Sequence, residues 1–337
     1  IAAGLIVKSF GKDAIDKVLP ATVTGPIAMA IGLTLAANAI GDAAAVPAGV
    51  PEGMAALASN WAWGISLVTL LSTIFFSVYL KGFWRQLPLL LGPIVGCLTA
   101  FLVRGATGLD FFKVLPATAN SGLFALPIFT LPKPSWLAVA AIMPIAIATI
   151  PESTAHVFQL DIYVNDLAQK KGSKKRYDIA SKLGINLIGD GIGDIVAGFI
   201  GGPAGTNYGE NISAMAITKV FSIPVLIGAA LIAMVISCFT PLINAIYGIP
   251  TAVIGGLEVY LFGAIAAQGI AIMMEKKVDM FSAKNIAVIA TIMVIGVGGQ
   301  YAFGGNIPIF GLEVPCIAGS AIFGILLNLA LSFGDEK

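Results

Sequence analysis

The chain has 337 residues, of which 58% are hydrophobic and only 11% charged, and its mean hydropathy is +0.94. Soluble domains carry about 25% charged residues, so this composition excludes an ordinary soluble enzyme and indicates a helical protein that crosses the membrane several times. A net charge of +1 offers no basis for a nucleic-acid partner, and the single histidine, His156, excludes a multi-histidine metal site.

Ten apolar segments are long enough, or nearly so, to cross about 30 Å of hydrocarbon. In chain order they are 18–40, 60–80, 84–103, 136–158, 178–200, 208–219, 222–241, 249–273, 282–302 and 313–333. The sixth crosses only if an extended stretch precedes its helix. The three cysteines, Cys97, Cys238 and Cys316, fall in these spans and are predicted to be small buried residues rather than disulfides or metal ligands.

The basic residues are distributed unevenly between the two sides of these spans. With the N-terminus inside, sixteen of the 19 Lys and Arg residues fall on the inner side, and Arg104, Lys113 and Lys133 fall outside. Since inner loops retain positive charge, this bias predicts a multi-pass protein of the cell membrane. Its C-terminus is expected in the cytoplasm and its loop 104–135 outside.

An internal repeat relates the first and eighth spans. Residues 19–40, LPATVTGPIAMAIGLTLAANAI, align with residues 249–270, IPTAVIGGLEVYLFGAIAAQGI, so that Pro20 matches Pro250 and Gly25 matches Gly255. Seven spans separate the two copies, which therefore cross in opposite directions, as in the inverted repeats of secondary transporters. A seven-plus-seven arrangement would leave spans four to seven without partners, so we expect four N-terminal spans to be missing. The alternative is a chance similarity between two apolar helices.

Charged side chains concentrate in spans four to six, where they are costly and usually functional. Glu152 and His156, in PESTAH, lie four residues apart and therefore on one helix face. Imidazole exchanges protons near neutral pH, so the pair is a candidate proton acceptor, with a purely structural pairing as the alternative.

Two further spans carry acidic residues. Asp190 and Asp194 share a face of the glycine-rich fifth span and are interpreted as helix-packing and proton-network residues rather than ligand contacts. Glu258 lies in the eighth span, where its repeat counterpart is Ala28, so the symmetry assigns it no role. It is expected to line a polar surface or to bond two helices.

The segment GGPAGTNYGENIS cannot form a continuous helix, because Pro203 and several glycines interrupt it. A helix can start near Asn211, with the preceding residues extended. This predicts a discontinuous span whose helix start faces a cavity within the membrane. Glu210 would then combine a carboxylate acceptor with free backbone donors, which suits a flat heterocycle with alternating N–H and C=O groups. The alternative is that Glu210 only caps the helix.

These residues resemble the nucleobase–ascorbate transporter family, and in particular its bacterial uracil permease group. The family motif is Gln/Glu/Pro–Asn–x–Gly–x4–Thr–Arg/Lys/Gly, and this chain has Glu210–Asn211–Ile212–Ser213, then Thr218–Lys219 after the spacer. Ser213 departs from the family glycine. PESTAHV is similar to the Glu–x3–His element of the group, with Pro151 and Ser153 as departures.

The resemblance implies an all-α, seven-plus-seven inverted-repeat fold with discontinuous spans, of which this chain holds spans five to fourteen. It implies gate-domain spans five to seven in 1–103, core-domain spans eight to eleven with the substrate site in 136–241, and gate-domain spans twelve to fourteen in 242–337. It places substrate contacts at Glu152, Glu210, Gly209 and Tyr208, proton coupling at Glu152 and His156, and supporting roles at Asn211, Thr218, Asp190 and Asp194.

The function that the resemblance implies is import of uracil with protons by secondary active transport. No cofactor other than the proton gradient is expected; the partners are uracil, protons and the lipid bilayer, and the family adds a homodimer through the gate domain. A purine permease for xanthine or urate is one alternative. An anion exchanger or channel of the same fold is another, although the site residues are acidic. A membrane enzyme has no metal or cofactor motif to support it.

Overall fold

The computed structural model describes residues 1–10, 19–81, 84, 87–115, 122–142, 145–205, 207, 211–212, 215–216, 219–309 and 312–332. Helices dominate these ranges. They are α1 (Ala2–Phe10), α2 (Ala21–Thr34), α3 (Ala36–Ala43), α4 (Ala55–Tyr79), α5 (Pro88–Thr107), α6 (Trp136–Ile142), α7 (Ile145–Lys170), α8 (Leu183–Phe199), α9 (Ile223–Ser237), α10 (Thr240–Tyr247), α11 (Thr251–Glu275), α12 (Ala283–Phe303) and α13 (Cys316–Ser332).

The chain is a multi-pass membrane protein. Within the described residues, five helical stretches are long and apolar enough to cross a bilayer: Ala21–Ala43, Glu52–Tyr79, Pro88–Thr107, Thr251–Met274 and Ala283–Phe303. Helices also occupy most of the other predicted spans. The exception is the sixth, 208–219, most of which lies outside the described residues.

The contacts divide the chain into two compact units. Unit 1 comprises Ile1–Thr34, Phe129–Ile212 and Ala264–Lys337, and unit 2 comprises Leu35–Ile128 and Ser213–Gly263. The boundaries that the resemblance implies for the gate and core domains stay a prediction.

In unit 1, helix α12 packs against both α2 and α13, and α1 packs against α8. The core between α2, α12 and α13 is built from apolar side chains, namely Val23, Ile27, Val288, Ile292 and Ala321. A second cluster joins α1, α7 and α8 through Val7, Val157, Leu183 and Leu187. Helix α7, which carries the predicted Glu152–His156 pair, is thereby fixed against α8.

In unit 2, the main contact is between α4 and α5. Thr69 and Thr73 of α4 are fully buried, and each hydroxyl donates to a carbonyl one turn earlier, over 2.8 Å to Ile65 and 2.7 Å to Thr69. Buried Gly92 and Gly96 of α5 lie opposite these threonines, and a β-carbon at either glycine would overlap a threonine hydroxyl. Small residues allow the two backbones to approach closely, as is typical of helices packed in membranes.

The basic connection between α7 and α8 is bonded back onto α7. Asn165 exchanges two hydrogen bonds of 2.8 Å with the backbone of Tyr177, and Oδ1 of Asp161 accepts from the amides of Ile179 and Ala180 at 2.7 and 3.1 Å. The connection therefore has a defined path, although its many lysines are exposed.

A short antiparallel hairpin precedes α13 and was not predicted from the sequence. Its strands are β1 (Asn306–Ile309) and β2 (Leu312–Pro315), and Asn306 pairs with Pro315. Four-residue strands next to an apolar span carry too little periodicity to be distinguished from the start of the helix.

Candidate functional site

The first part of the candidate site is one face of α7. Glu152 lies within this helix, but its side chain is outside the described residues. His156 is half-buried and Ser153 is only 1% exposed. The Nδ1 atom of His156 and the Oγ atom of Ser153 are buried, and neither makes a hydrogen bond within the described structure.

These two orphan atoms are informative because buried polar groups are normally satisfied by protein or water. Ser153 and Glu152 lie three and four residues before His156, so each of them neighbours His156 on the surface of the helix. That face therefore presents a hydroxyl and an imidazole nitrogen that can each bond a ligand or an ordered water. In the sequence, Ser153 is only a departure from the family pattern; the structure shows that its hydroxyl is buried without a hydrogen-bond partner among the described residues.

The second part is the chain that follows α8. This helix ends at Phe199 in a Schellman motif, in which the amide of Gly202 donates to Ala197 at 2.8 Å and that of Gly201 donates to Gly198 at 3.3 Å. Gly201 has φ +88°, which is the left-handed conformation that glycine adopts without cost. A β-carbon at Gly201 would also overlap the Thr130 hydroxyl. Both the backbone conformation and the available space therefore require glycine at this position.

The motif reverses the chain, and Pro203 prevents the helix from resuming. Residues 202–205 are irregular, as predicted, and Asn211 and Ile212 are helical. The amide of Gly205 donates to Oδ1 of Asp194 at 2.7 Å, which ties the reversed chain to α8.

The other predicted site residues divide into those described and those not. Asn211 is exposed at the start of the helical stretch, and Asp190 lies one turn before Asp194 on the same half-buried face of α8. Tyr208, Gly209, Glu210 and Thr218 lie outside the described residues. The structure thus places Asp194 beside the chain leading to Glu210 without describing Glu210 itself.

Glu258 lies on α11 in unit 2. Its Oε2 atom is buried without a hydrogen-bond partner within the described structure, and the carboxyl group of Asp42 lies nearby. The repeat assigns no role to Glu258, and the sequence gives no signal for Asp42, which follows the first predicted span and precedes three alanines. Over the described ranges, no cluster of three or more His, Cys, Asp and Glu side chains is arranged to hold a metal ion.

Comparison with known proteins identifies the family. A profile described as "Permease family" matches residues 1–305. The chain belongs to this family. It is 36% identical over 335 residues to a uracil permease of Bacillus caldolyticus, an alignment covering 97% of this chain and 71% of the relative.

Two further relatives carry the same name and align over a similar share of their length. The uracil permease of Bacillus subtilis is 34% identical, with 99% of this chain and 73% of that protein aligned. The uracil permease of Escherichia coli K12 is 35% identical, with 96% of this chain and 70% of that protein aligned. These relatives are named permeases and not enzymes. The family membership expected from the Glu–Asn motif and the Glu–x3–His element is confirmed by the profile match and by these alignments.

Proposed function

We propose that this protein imports uracil together with protons across the cell membrane. The observation that carries the proposal is the face of α7 at Ser153 and His156, whose buried polar atoms have no hydrogen-bond partner in the described structure. A pyrimidine ring supplies alternating donors and acceptors that such a face can bond. The chain belongs to a permease family, and relatives aligned over nearly its whole length are named uracil permeases.

In this proposal, Glu152 and Glu210 bind the base, and Gly209 and Tyr208 contribute backbone groups. Glu210 precedes the helical residues Asn211 and Ile212. The start of a helix offers free backbone donors beside such a carboxylate, so we assign Glu210 mainly to holding the substrate.

The transported proton is assigned to Glu152 and His156. Imidazole is the side chain whose charge changes near neutral pH, and Glu152, four residues before His156 on α7, can share its proton. Protonation of this pair from the outer side and release on the inner side would couple uracil movement to the proton gradient. Asp190 and Asp194 lie in the neighbouring helix as supporting groups.

We also propose the inverted repeat as the architecture that supports this site. The backbone amides of Val23 and Thr24 donate to the carbonyl of Pro20, and those of Val253 and Ile254 donate in the same way to Pro250. Both repeat-related prolines thus precede a helix with the same hydrogen-bond pattern.

The repeat-related glycines support the same architecture. In unit 1, a β-carbon at Gly25 would overlap Met273 and lie 2.8 Å from the Gly269 carbonyl oxygen. In unit 2, a β-carbon at Gly255 would lie 2.6 Å from Cα of Ala43. The offset of 230 that relates Gly25 to Gly255 also relates Ala43 to Met273, so the two close contacts are equivalent under the repeat.

The test is uptake of radiolabelled uracil by the full-length protein reconstituted in vesicles with an inwardly directed proton gradient. We expect uptake that a protonophore abolishes and that unlabelled uracil inhibits far more than xanthine, uric acid or thymine. Inhibition by xanthine or uric acid equal to that by uracil would instead establish a purine permease. Uptake that follows an anion gradient and ignores the proton gradient would contradict coupling.

A further inference from the structure

Within the described residues, a side chain of α8 holds the irregular chain 203–205 that follows this helix. The Schellman motif fixes the chain as far as Gly202, and Pro203 carries no amide hydrogen. Along residues 203–205 of the described chain, the bond that ties the backbone to α8 is the one from the Gly205 amide to Asp194 Oδ1, at 2.7 Å. It spans eleven residues and would not form without the reversal at Gly201.

We propose that Asp194 is a positioning residue of the substrate site, which sets the direction of the chain leading to Tyr208, Gly209 and Glu210. The inference rests on the proposed function, because it assumes that those residues bind the base. Its physical basis is that irregular backbone within a membrane protein must have its amides satisfied, and a bond to a carboxylate is stronger than one to a neutral acceptor. Without it, the described residues 203–205 would no longer be tied to α8.

This role requires an acceptor atom at Oδ1 and does not require the side chain to exchange a proton. Asparagine retains that acceptor, whereas alanine removes it. The substitution Asp194→Asn therefore separates positioning from proton transport: a positioning residue tolerates it, and a proton carrier does not.

The same hydrogen bond can also be removed by deleting its donor, the amide of Gly205. Gly205→Pro deletes the amide hydrogen, and Gly205→Ala is the matched control because it keeps that hydrogen. The control should fit, since a β-carbon at Gly205 would lie 3.7 Å from Asp194 Oδ1, an ordinary contact, and Gly205 is not among the residues with positive φ.

The first measurement is equilibrium binding of uracil to the purified full-length protein. Hydrogen bonds to charged groups contribute enough that Asp194→Ala should weaken affinity about 10- to 100-fold. Asp194→Asn should stay within about 5-fold of the wild type, because the bond persists with a neutral acceptor, and should still accumulate uracil in response to a proton gradient. Loss of that accumulation in Asp194→Asn with binding intact would overturn the proposal in favour of a proton-carrying role.

A double-mutant cycle tests whether the two groups act through each other. In the Gly205→Pro background, Asp194→Ala should have no further effect on affinity, because its partner is already gone. In the Gly205→Ala background it should have its full effect. Independent effects of Asp194→Ala and Gly205→Pro would overturn the proposal.

The second measurement needs no substrate and so separates this inference from the proposed function. Amide hydrogen exchange of the peptide containing Gly205 should be faster in Asp194→Ala and unchanged, or nearly so, in Asp194→Asn. A wild-type protein that binds no uracil would refute the proposed function while leaving the exchange result to decide the positioning role. Equal exchange in all three proteins would refute the positioning role whatever the substrate.

Discussion

The contact between α4 and α5 leads to a quantitative prediction for Gly96→Ala. A β-carbon at Gly96 would overlap the hydroxyl of Thr69, and it would lie 3.0 Å from Cγ1 of Val253 and 3.2 Å from Cβ of Thr69. Thr69 is fully buried, and its hydroxyl is already bonded to Ile65 at 2.8 Å, so it has little freedom to move away.

Inserting a methyl group into such a contact costs about 1–3 kcal/mol. Replacing glycine by alanine inside a helix stabilises the helix by up to about 1 kcal/mol. Since the helix gain applies to any helical glycine, we expect Gly96→Ala to have a free energy of unfolding about 1–3 kcal/mol lower than an alanine substitution at an uncrowded glycine of the same helix. Gly105 lies on the same helix, and a β-carbon there would have nothing within 4 Å, so Gly105→Ala is the matched control and should be neutral or slightly stabilising.

Two changes at Thr69 separate crowding from hydrogen bonding. Thr69→Ala removes the overlapping hydroxyl, so Gly96→Ala should cost clearly less in that background. Thr69→Val removes the hydrogen bond but keeps the bulk, so the cost of Gly96→Ala should persist. The assay is reversible denaturation of the full-length protein in mixed micelles or steric trapping in bicelles. If Gly96→Ala is as stable as Gly105→Ala, the helices do not approach as closely as the structure indicates.

Three further predictions follow from the site and its connections. A cysteine introduced at Ser173 should react with a membrane-impermeant reagent only after permeabilisation, because the basic connection is predicted to be cytoplasmic. Labelling of intact cells would show that this connection is external and that the predicted topology is wrong. Glu210→Ala should abolish uracil binding at every pH between about 5 and 8, whereas Glu152→Gln, which keeps an acceptor but cannot titrate, should retain binding and lose its pH dependence and proton-driven accumulation. Normal accumulation of uracil by Glu152→Gln would show that a group other than Glu152 carries the transported proton. Asn165→Ala should accelerate tryptic cleavage between α7 and α8, because two backbone bonds of 2.8 Å are lost; Asp166→Ala, which removes only an exposed ion pair with Lys170, should not.

Much of the architecture is determined by the sequence alone, since a bilayer imposes long apolar stretches and an uneven distribution of Lys and Arg. The break after α8 was also predictable, because Pro203 and its neighbouring glycines are incompatible with a continuous helix. The family followed from the Glu–Asn motif at Glu210 and the Glu–x3–His spacing at Glu152, since such motifs lie within a few adjacent residues.

Tertiary structure decided which of these residues act together. The spacing of Asp190 and Asp194 predicted a shared helix face, but only the left-handed turn at Gly201 brings the Gly205 amide to Asp194. Likewise, nothing in the sequence distinguishes Gly96 from the other glycines of a chain that has 39 of them. The structure shows that Thr69 of α4 lies against it. A sequence specifies local conformation and burial through short-range periodicity, whereas a contact between distant residues depends on how the helices cross, and no local pattern contains that information.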